Sequence, residues 1–341
     1  MINVCICGGG SLGHVIAGYL ASKDNASVYM FTQRAHLWSN NLTIYTPNGS
    51  PIISQLDCVT TDAQSAVSNA DIVLLCLPGY AIKEELTIIA PYLKAGTFVG
   101  SVFSSTGFFF EAMQLLDEEI PLWGFQRVPF IARTKEYGRN AFLLGYKLSH
   151  NIAVERCKDK ETFRTIIEDL FDAPVNLLNN FYEATFTNSN PILHPARLYS
   201  LFSDWNESLF YDREFLFYEE WNNVASELLI QMDNELFGML KMLPVSPHFL
   251  LPILEYYESH DADSLTRKIR SIVGFKGIKT PMVETEMGWQ PDLNSRYFQE
   301  DFAYGLRYIH ETAHRFDVDI PVIDRIYEWG VRLAKRVDNK A

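Results

Sequence analysis

The chain has 341 residues, of which 48% are hydrophobic and 21% charged, and a formal net charge of −13. This length supports two domains with separate cores, and the composition is that of a globular protein. The acidic balance argues against a general nucleic-acid binder or a partner of anionic membranes, although a few local arginines can still hold an anionic small substrate.

No basic n-region precedes an apolar segment, and no run of 18 apolar residues occurs. Neither a signal peptide nor a transmembrane helix is therefore expected. Cys5, Cys7, Cys58, Cys76 and Cys157 read as reduced core thiols of a cytoplasmic protein. Cys5 and Cys7 share one strand face at a spacing poor for a disulfide.

In chain order, Ile2 to Cys7 reads as a short buried strand that runs directly into Gly8-Gly9-Gly10-Ser11-Leu12-Gly13. This is G-x-G-x-x-G between a strand and a helix, the context the dinucleotide motif requires. The first glycine allows a tight turn, the second lets backbone approach a pyrophosphate, and the third lets helix and strand pack closely. Ser11 to Ser22 is the expected helix, Ser27 to Phe31 the next strand and Ile52 to Val59 another, following an Asn48-Gly49 turn. Thr61-Asp62 can cap a short helix, and Asp71 to Leu77 is an apolar strand ending at Pro78-Gly79. A helix over Ala81 to Tyr92 and strands over Thr97 to Phe103, Leu122 to Gly124, Ala141 to Tyr146 and Val175 to Leu178 complete the pattern. Strands alternating with helices imply a doubly wound parallel sheet of Rossmann type, assigned to residues 1–182.

Residues 183–341 change character. Trp221, Val224, Ala225, Leu228, Leu229, Met232, Leu236 and Leu240 make a helical stripe, so a helix is expected from Phe215 to Met242, roughly 40 Å long. Its apolar face offers a homodimer surface. Further helices are expected near Pro247 to Tyr257, Ser264 to Val273, Ser295 to Phe316 and Val322 to Val337. The architecture is an α/β dinucleotide domain followed by an all-α domain, with the ligand cleft expected between them. Trp205, Phe210, Tyr211, Phe215, Phe217, Tyr218 and Trp221 read mostly as core, with some lining an amino-acid pocket.

The cofactor-facing residues are Gly8, Gly10, Ser11, Leu12, Gly13, Thr32, Arg34, Leu77 and Pro78. An acid near position 32 would bind the ribose hydroxyls of NAD, but the sequence there is Phe31-Thr32-Gln33-Arg34. Thr32 can bond a phosphate and Arg34 can pair with a 2′-phosphate, which favours NADP, with NAD as the alternative. His14, in the first turn of the helix, stands at the pyrophosphate end, and both a surface and a cofactor-touching reading are open for it.

Two segments of the helical half carry chemistry. In Asn190-Pro191-Ile192-Leu193-His194-Pro195, two prolines flank a histidine, and a rigid turn is expected to fix the imidazole as a general acid. In Arg296-Tyr297-Phe298-Gln299-Glu300-Asp301, a carboxylate can orient that histidine.

The N-terminal glycine loop, N-P-x-x-H-P at the domain junction and R-Y-x-x-E-D near the C-terminus, in that order, resemble the opine dehydrogenase family of octopine/nopaline type. Val128-Pro129-Phe130-Ile131-Ala132-Arg133 is similar to the family's L-P-Y-x-x-R segment, and the resemblance covers nearly the whole chain. It implies a helical domain of the 6-phosphogluconate-dehydrogenase-like plan. It also implies reduction, by NAD(P)H, of the imine formed between a 2-oxo acid and an amino acid. By that resemblance His194 is the catalytic acid/base and Asp301 its partner, Asn190 supports the histidine or the substrate, and Arg296 meets cofactor phosphates or a substrate carboxylate; two substrate carboxylates need cationic partners, for which Arg133 and Arg296 are the candidates. The chain departs from the family at Ser11 and Leu12, at Val128 and in Phe302-Ala303-Tyr304-Gly305, which opens the way to a different oxo acid or amine.

His310-Glu311-Thr312-Ala313-His314 also matches the H-E-x-x-H pattern of zinc proteases on an expected helix. It lacks a visible third ligand and gives the glycine loop no role, so no metal is expected and two solvated histidines are favoured. The rival functions are a glycerol-3-phosphate, 2-hydroxy-acid or ketopantoate-type carbonyl reductase using Lys241, Lys268, Lys276 or Lys279 as the acid, and a non-enzymatic NADP(H)-sensing module.

Overall fold

A computed structural model describes residues 1–338. The chain divides into two compact units, Met1–Thr185 and a second beginning at Phe186. Among the described residues no helix is long and apolar enough to cross a membrane.

The first unit contains strands β1 (Ile2–Cys7), β2 (Ala26–Phe31), β3 (Asn41–Tyr45), β4 (Pro51–Gln55), β5 (Cys58–Thr60), β6 (Ile72–Leu75), β7 (Phe98–Ser101), β8 (Leu122–Phe125), β9 (Phe130–Glu136), β10 (Asn140–Tyr146), β11 (His150–Glu155) and β12 (Val175–Leu177). Its helices are α1 (Ser11–Leu20), α2 (Ala63–Val67), α3 (Gly79–Ile89), α4 (Phe108–Leu115), α5 (Lys160–Phe171) and α6 (Phe181–Thr185). The main sheet has the order β12-β11-β8-β7-β6-β1-β2-β5. It is parallel except where β11 runs antiparallel to β8.

Strand alternation builds a core on both faces of this sheet. Val4 and Ile6 of β1 meet Val15, Ile16 and Leu20 of α1 on one side. Cys5 and Cys7 face the other side, with Ile82 and Leu86 of α3 and Phe108 of α4. All five cysteines are free thiols.

A second sheet, β4-β3-β10-β9, was not anticipated. The expected single strand from Ile52 to Val59 is two strands, one in each sheet. The chain turns at Leu56-Asp57, where Asp57 donates its N–H to the Val28 carbonyl at 2.9 Å and accepts the Val28 N–H on Oδ2 at 2.8 Å. That exchange ties the corner to β2 and starts β5 in the main sheet. Ala141 to Tyr146 likewise joins the second sheet, paired with β9 and β3. The second sheet covers α1: a Cβ at Gly18 would lie 2.5 Å from Ile44.

The second unit contains α7 (Asn190–Phe202), α8 (Asn223–Leu240), α9 (Ile253–Tyr256), α10 (Ala262–Ser271), α11 (Arg296–Gln299), α12 (Arg307–Arg315) and α13 (Pro321–Asp338). A hairpin of β13 (Met282–Thr285) and β14 (Gly288–Pro291) interrupts the helices.

Three expectations are corrected here. The long helix begins at Asn223, where Asn222 caps it by accepting the Ala225 N–H, and its 18 residues span roughly 27 Å. Residues 215–221 cannot extend it, because Arg197 takes the carbonyls of Phe217 and Glu220 at 2.9 and 2.8 Å. The apolar face of α8 is not a dimer surface, since Leu229, Met232 and Leu236 are buried within the unit itself. Near Pro247 only Ile253–Tyr256 is helical.

The late helix expected over Ser295 to Phe316 is broken by a π-helical segment, Phe302–Leu306, in which Leu306 N–H reaches back five residues to the Asp301 carbonyl at 2.7 Å.

Candidate active site

The glycine loop leaves β1 at Gly8, whose φ of +110° suits glycine alone. A Cβ there would sit 2.7 Å from Leu77 Cδ2 and 2.8 Å from the Cys76 carbonyl, so Leu77 walls the loop. A Cβ at Gly13 would sit 1.9 Å from the Gly8 carbonyl, so helix and loop touch there. Gly10, the N-cap of α1, faces open space, with nothing within 4 Å of its Cβ position. The amides of Ser11, Leu12 and Gly13 in the first turn have no carbonyl four residues back within the helix. That combination of open space, free N–H groups and helix-dipole charge fits a pyrophosphate. Pro78 forms the N-cap of α3.

The Ser11 side chain is engaged elsewhere. Its Oγ accepts the Thr134 N–H at 3.0 Å and lies 3.0 Å from Thr134 Oγ1, so its backbone amide is what it offers to a phosphate. Thr32 is buried, and its Oγ1 would lie 2.9 Å from a Cβ at Gly9. Arg34 is exposed, with its guanidinium 5.9 Å from the Tyr137 ring centre.

His14 is not a surface group. It is fully buried, donates from Nδ1 to the Gly10 carbonyl at 2.8 Å and accepts the Gly138 N–H on Nε2 at 2.7 Å. Trp38 lies 4.1 Å from its ring. Burial lowers its pKa, and this hydrogen-bond pattern requires the neutral tautomer.

In the second unit, N-P-x-x-H-P is helix rather than a rigid turn. Pro191 occupies the first turn of α7, where a missing N–H costs nothing, and Pro195 leaves only the Pro191 carbonyl without its helical partner. His194 therefore projects from a helix. Its Nδ1 lies 2.7 Å from Asp301 Oδ2 and its Nε2 lies 3.0 Å from the Tyr218 hydroxyl. A carboxylate only accepts, so Nδ1 carries a proton, and Nε2 shares a hydrogen bond with the Tyr218 hydroxyl.

Asp301 is brought there by the π segment. Gly305 lets that segment lie on Pro191, since a Cβ at Gly305 would be 2.8 Å from the proline ring. Tyr297 and Phe217 pack on the imidazole with ring centres at 4.5 and 5.6 Å. Tyr218 stacks on Phe275 at 4.0 Å, and burial first, then Tyr297, Tyr257 and Asp301, holds its hydroxyl well above the usual phenol pKa.

Asn190 does not support the histidine, because both ring nitrogens are already taken by Asp301 and Tyr218, and its own side chain is exposed. Arg296 is exposed at the start of α11 and makes no ion pair among the described residues. Arg133 is exposed on β9. Its neighbour Thr134 faces Ser11, so strand alternation points Arg133 away from the glycine loop.

Tyr218, Tyr297 and Arg197 were not foreseen as parts of this site. Arg197 stands three residues after His194 on α7 and is buried at 1% exposure, holding the loop that presents Tyr218. That spacing on one helix was the available signal. Glu311 of the H-E-x-x-H stretch is paired with Arg307 at 2.7 Å and so is committed. Of the alternative acids, Lys279 pairs with Glu214 at 2.6 Å, Lys268 pairs with Glu258, and Lys241 and Lys276 are exposed.

A phosphate cradle of this kind on a parallel sheet, in a chain whose second half is helical, defines the class: an NAD(P)-dependent dehydrogenase. Residues 177–333 match the family model described as NAD/NADP octopine/nopaline dehydrogenase, alpha-helical domain, and residues 4–103 match that of ketopantoate reductase. Tauropine dehydrogenase of Arabella iricolor is 27% identical over 98% of this chain and 91% of its own length. Octopine dehydrogenase of Mizuhopecten yessoensis is 25% identical over 96% and 89%. A solved octopine dehydrogenase with NADH and L-arginine superposes with a TM-score of 0.84 at 24% identity, covering 97% of this chain and 89% of that one. Over nearly its whole length the chain is thus similar to opine-forming dehydrogenases, and its helical half matches the octopine/nopaline dehydrogenase family model.

Proposed function

We propose that the protein joins a 2-oxo acid to the amino group of an amino acid or a similar amine by reducing their imine, and that NADPH is its preferred reductant. The observation that carries this reading is the His194–Asp301 pair at 2.7 Å inside an aromatic enclosure. The match of the helical half to the octopine/nopaline dehydrogenase model supports it, as do similar proteins whose names denote opine-forming reactions and a solved octopine dehydrogenase with NADH and pyruvate.

Condensation releases water, and the whole reaction consumes one proton along with the hydride. As the imidazolium, protonated on both nitrogens, His194 gives that proton from Nε2 to the departing hydroxyl of the carbinolamine, which leaves as water. Asp301 stabilises the imidazolium before the transfer and fixes the ring, which is the base-plus-orienter arrangement of acid–base catalysis. Tyr218 keeps Nε2 hydrogen-bonded until substrate takes its place. Bound NADPH supplies the hydride to the imine carbon. Arg296, exposed and free of an ion pair, binds a substrate carboxylate, and Asn190, one helical turn before His194, offers its amide to the same ligand. Arg34 pairs with the 2′-phosphate, a role that the missing acid at position 32 leaves open.

The test is a matrix of 2-oxo acids against amino acids, followed by the loss of NADPH or NADH absorbance. Oxidation that requires both partners supports imine reduction. Equal oxidation without the amine would assign a carbonyl reductase instead, and tight NADPH binding with no turnover on any pair would assign a sensing module.

A further inference from the structure

The H-E-x-x-H helix has an unexpected neighbour. His310 and His314 stand one turn apart on α12, with ring centres 4.5 Å apart. Asp324, in the first turn of α13, places Oδ1 3.3 Å from His310 Nε2 and 2.8 Å from His314 Nε2. One ligand atom from each of the three side chains falls within 4.8 Å of the other two. We propose that His310, His314 and Asp324 bind one borderline divalent cation, Zn2+ or its Co2+ and Ni2+ neighbours, clipping α12 to α13.

The spacing suits such an ion. Metal–nitrogen and metal–oxygen bonds of about 2.0–2.2 Å in a tetrahedron put ligand atoms about 3.3 Å apart. Two of the three edges are already within a few tenths of an ångström of that value. Two imidazoles and one carboxylate select borderline metals over Mg2+ or Ca2+, which prefer oxygen throughout.

The frame around the ligands is built. Tyr327 packs against His310 with ring centres 4.3 Å apart and restrains its ring. Glu235 of α8 accepts the Val322 and Ile323 amides at 2.9 and 2.8 Å, fixing the turn that carries Asp324. His310 Nε2 already faces Asp324 at 3.3 Å, so a cation held there takes the place of the contact that now links the two side chains. His314 is half exposed, which gives the ion a path in and leaves a coordination position for water. Glu311 pairs with Arg307 rather than facing the three ligands, so the site is structural and offers no protease base.

Untagged protein, stripped with a chelator, is titrated with Co2+ and followed by visible absorption and calorimetry. One equivalent should bind and give the bands of a low-coordinate cobalt site, Zn2+ should displace it, and Mg2+ should not compete. His314→Ala and Asp324→Asn should each weaken binding at least about tenfold. His314→Ala should melt like the wild type in chelator, because that side chain is half exposed, while wild-type protein should gain about 5 °C at a hundredfold excess of Zn2+ over its Kd. Absence of saturable binding, or either variant binding as tightly as wild type, would overturn the proposal.

Discussion

Replacing Asp301 with Asn isolates what the carboxylate charge contributes. The partner atoms are 2.7 Å apart, and the His194 and Asp301 side chains are only 10% and 17% exposed, so solvent screens the pair weakly. An amide oxygen can still accept the Nδ1 proton, so ring orientation survives and only charge is lost. A charge-assisted hydrogen bond contributes about 1.5–3 kcal/mol against about 1 for a neutral one. The difference of about 0.5–2 kcal/mol falls on the state in which the ring is imidazolium, and it predicts a kcat reduced about 2- to 30-fold. Asp301→Ala should cost more, because it also strands Nδ1 in a largely buried site. Steady-state oxidation of NADPH in the presence of both substrates measures kcat. A fluorescence titration measures the NADPH Kd, which should be unchanged because the cradle lies in the other unit. Wild-type turnover in Asp301→Asn would refute the dyad, and a parallel loss of cofactor binding would show that the variant acts through structure.

Gly13→Ala drives a methyl group to 1.9 Å from the Gly8 carbonyl and should weaken NADPH binding about 10- to 100-fold by equilibrium titration, whereas unchanged binding would contradict the cradle. Tyr218→Phe removes the hydroxyl at Nε2, and kcat should fall about tenfold while the KM for NADPH holds; a kcat equal to wild type would remove Tyr218 from the reaction. Arg34→Ala should raise the KM for NADPH about 10- to 100-fold and leave that for NADH alone, so an unchanged ratio would end the 2′-phosphate assignment. Asp233 is buried, and that burial pushes its pKa up to about 6 from 3.8. Between pH 4 and 6 the folded state holds a proton that the unfolded state has released, so stability falls as pH rises through this window, by roughly 3 kcal/mol at most. Asp233→Asn should flatten that slope in thermal melts, and an identical slope would exclude Asp233 as its source.

Local patterns carried much of the fold. β1, the glycine turn, the Asp62 cap and the apolar run ending near Pro78 are each specified by a few consecutive residues, and the structure has them. The second sheet was hidden because its strands are half-exposed and its two hairpins join across a long separation, as Thr43 pairs with Asn140. The prolines on either side of His194 suggested a turn, yet Pro191 stands in the first helical turn, which tolerates it, and the helix carries Pro195 in its interior. His194 and Asp301 lie 107 residues apart, and only the family resemblance linked them in the sequence. Tyr218 was unreadable for a different reason: a buried tyrosine that bonds an imidazole has the same sequence signature as one that fills a core.

The contacts that grip α1 also bear on how the protein is made. Ser11 bonds Thr134 across 123 residues, and His14 bonds Gly138 across 124. Loop closure over such distances is entropically slow, and a chain grows from its N-terminus. A nascent chain therefore exposes its glycine motif long before β9 exists to brace it. Nucleotide affinity should appear late in synthesis, and fragments ending before residue 138 should bind the cofactor poorly even with the whole motif present.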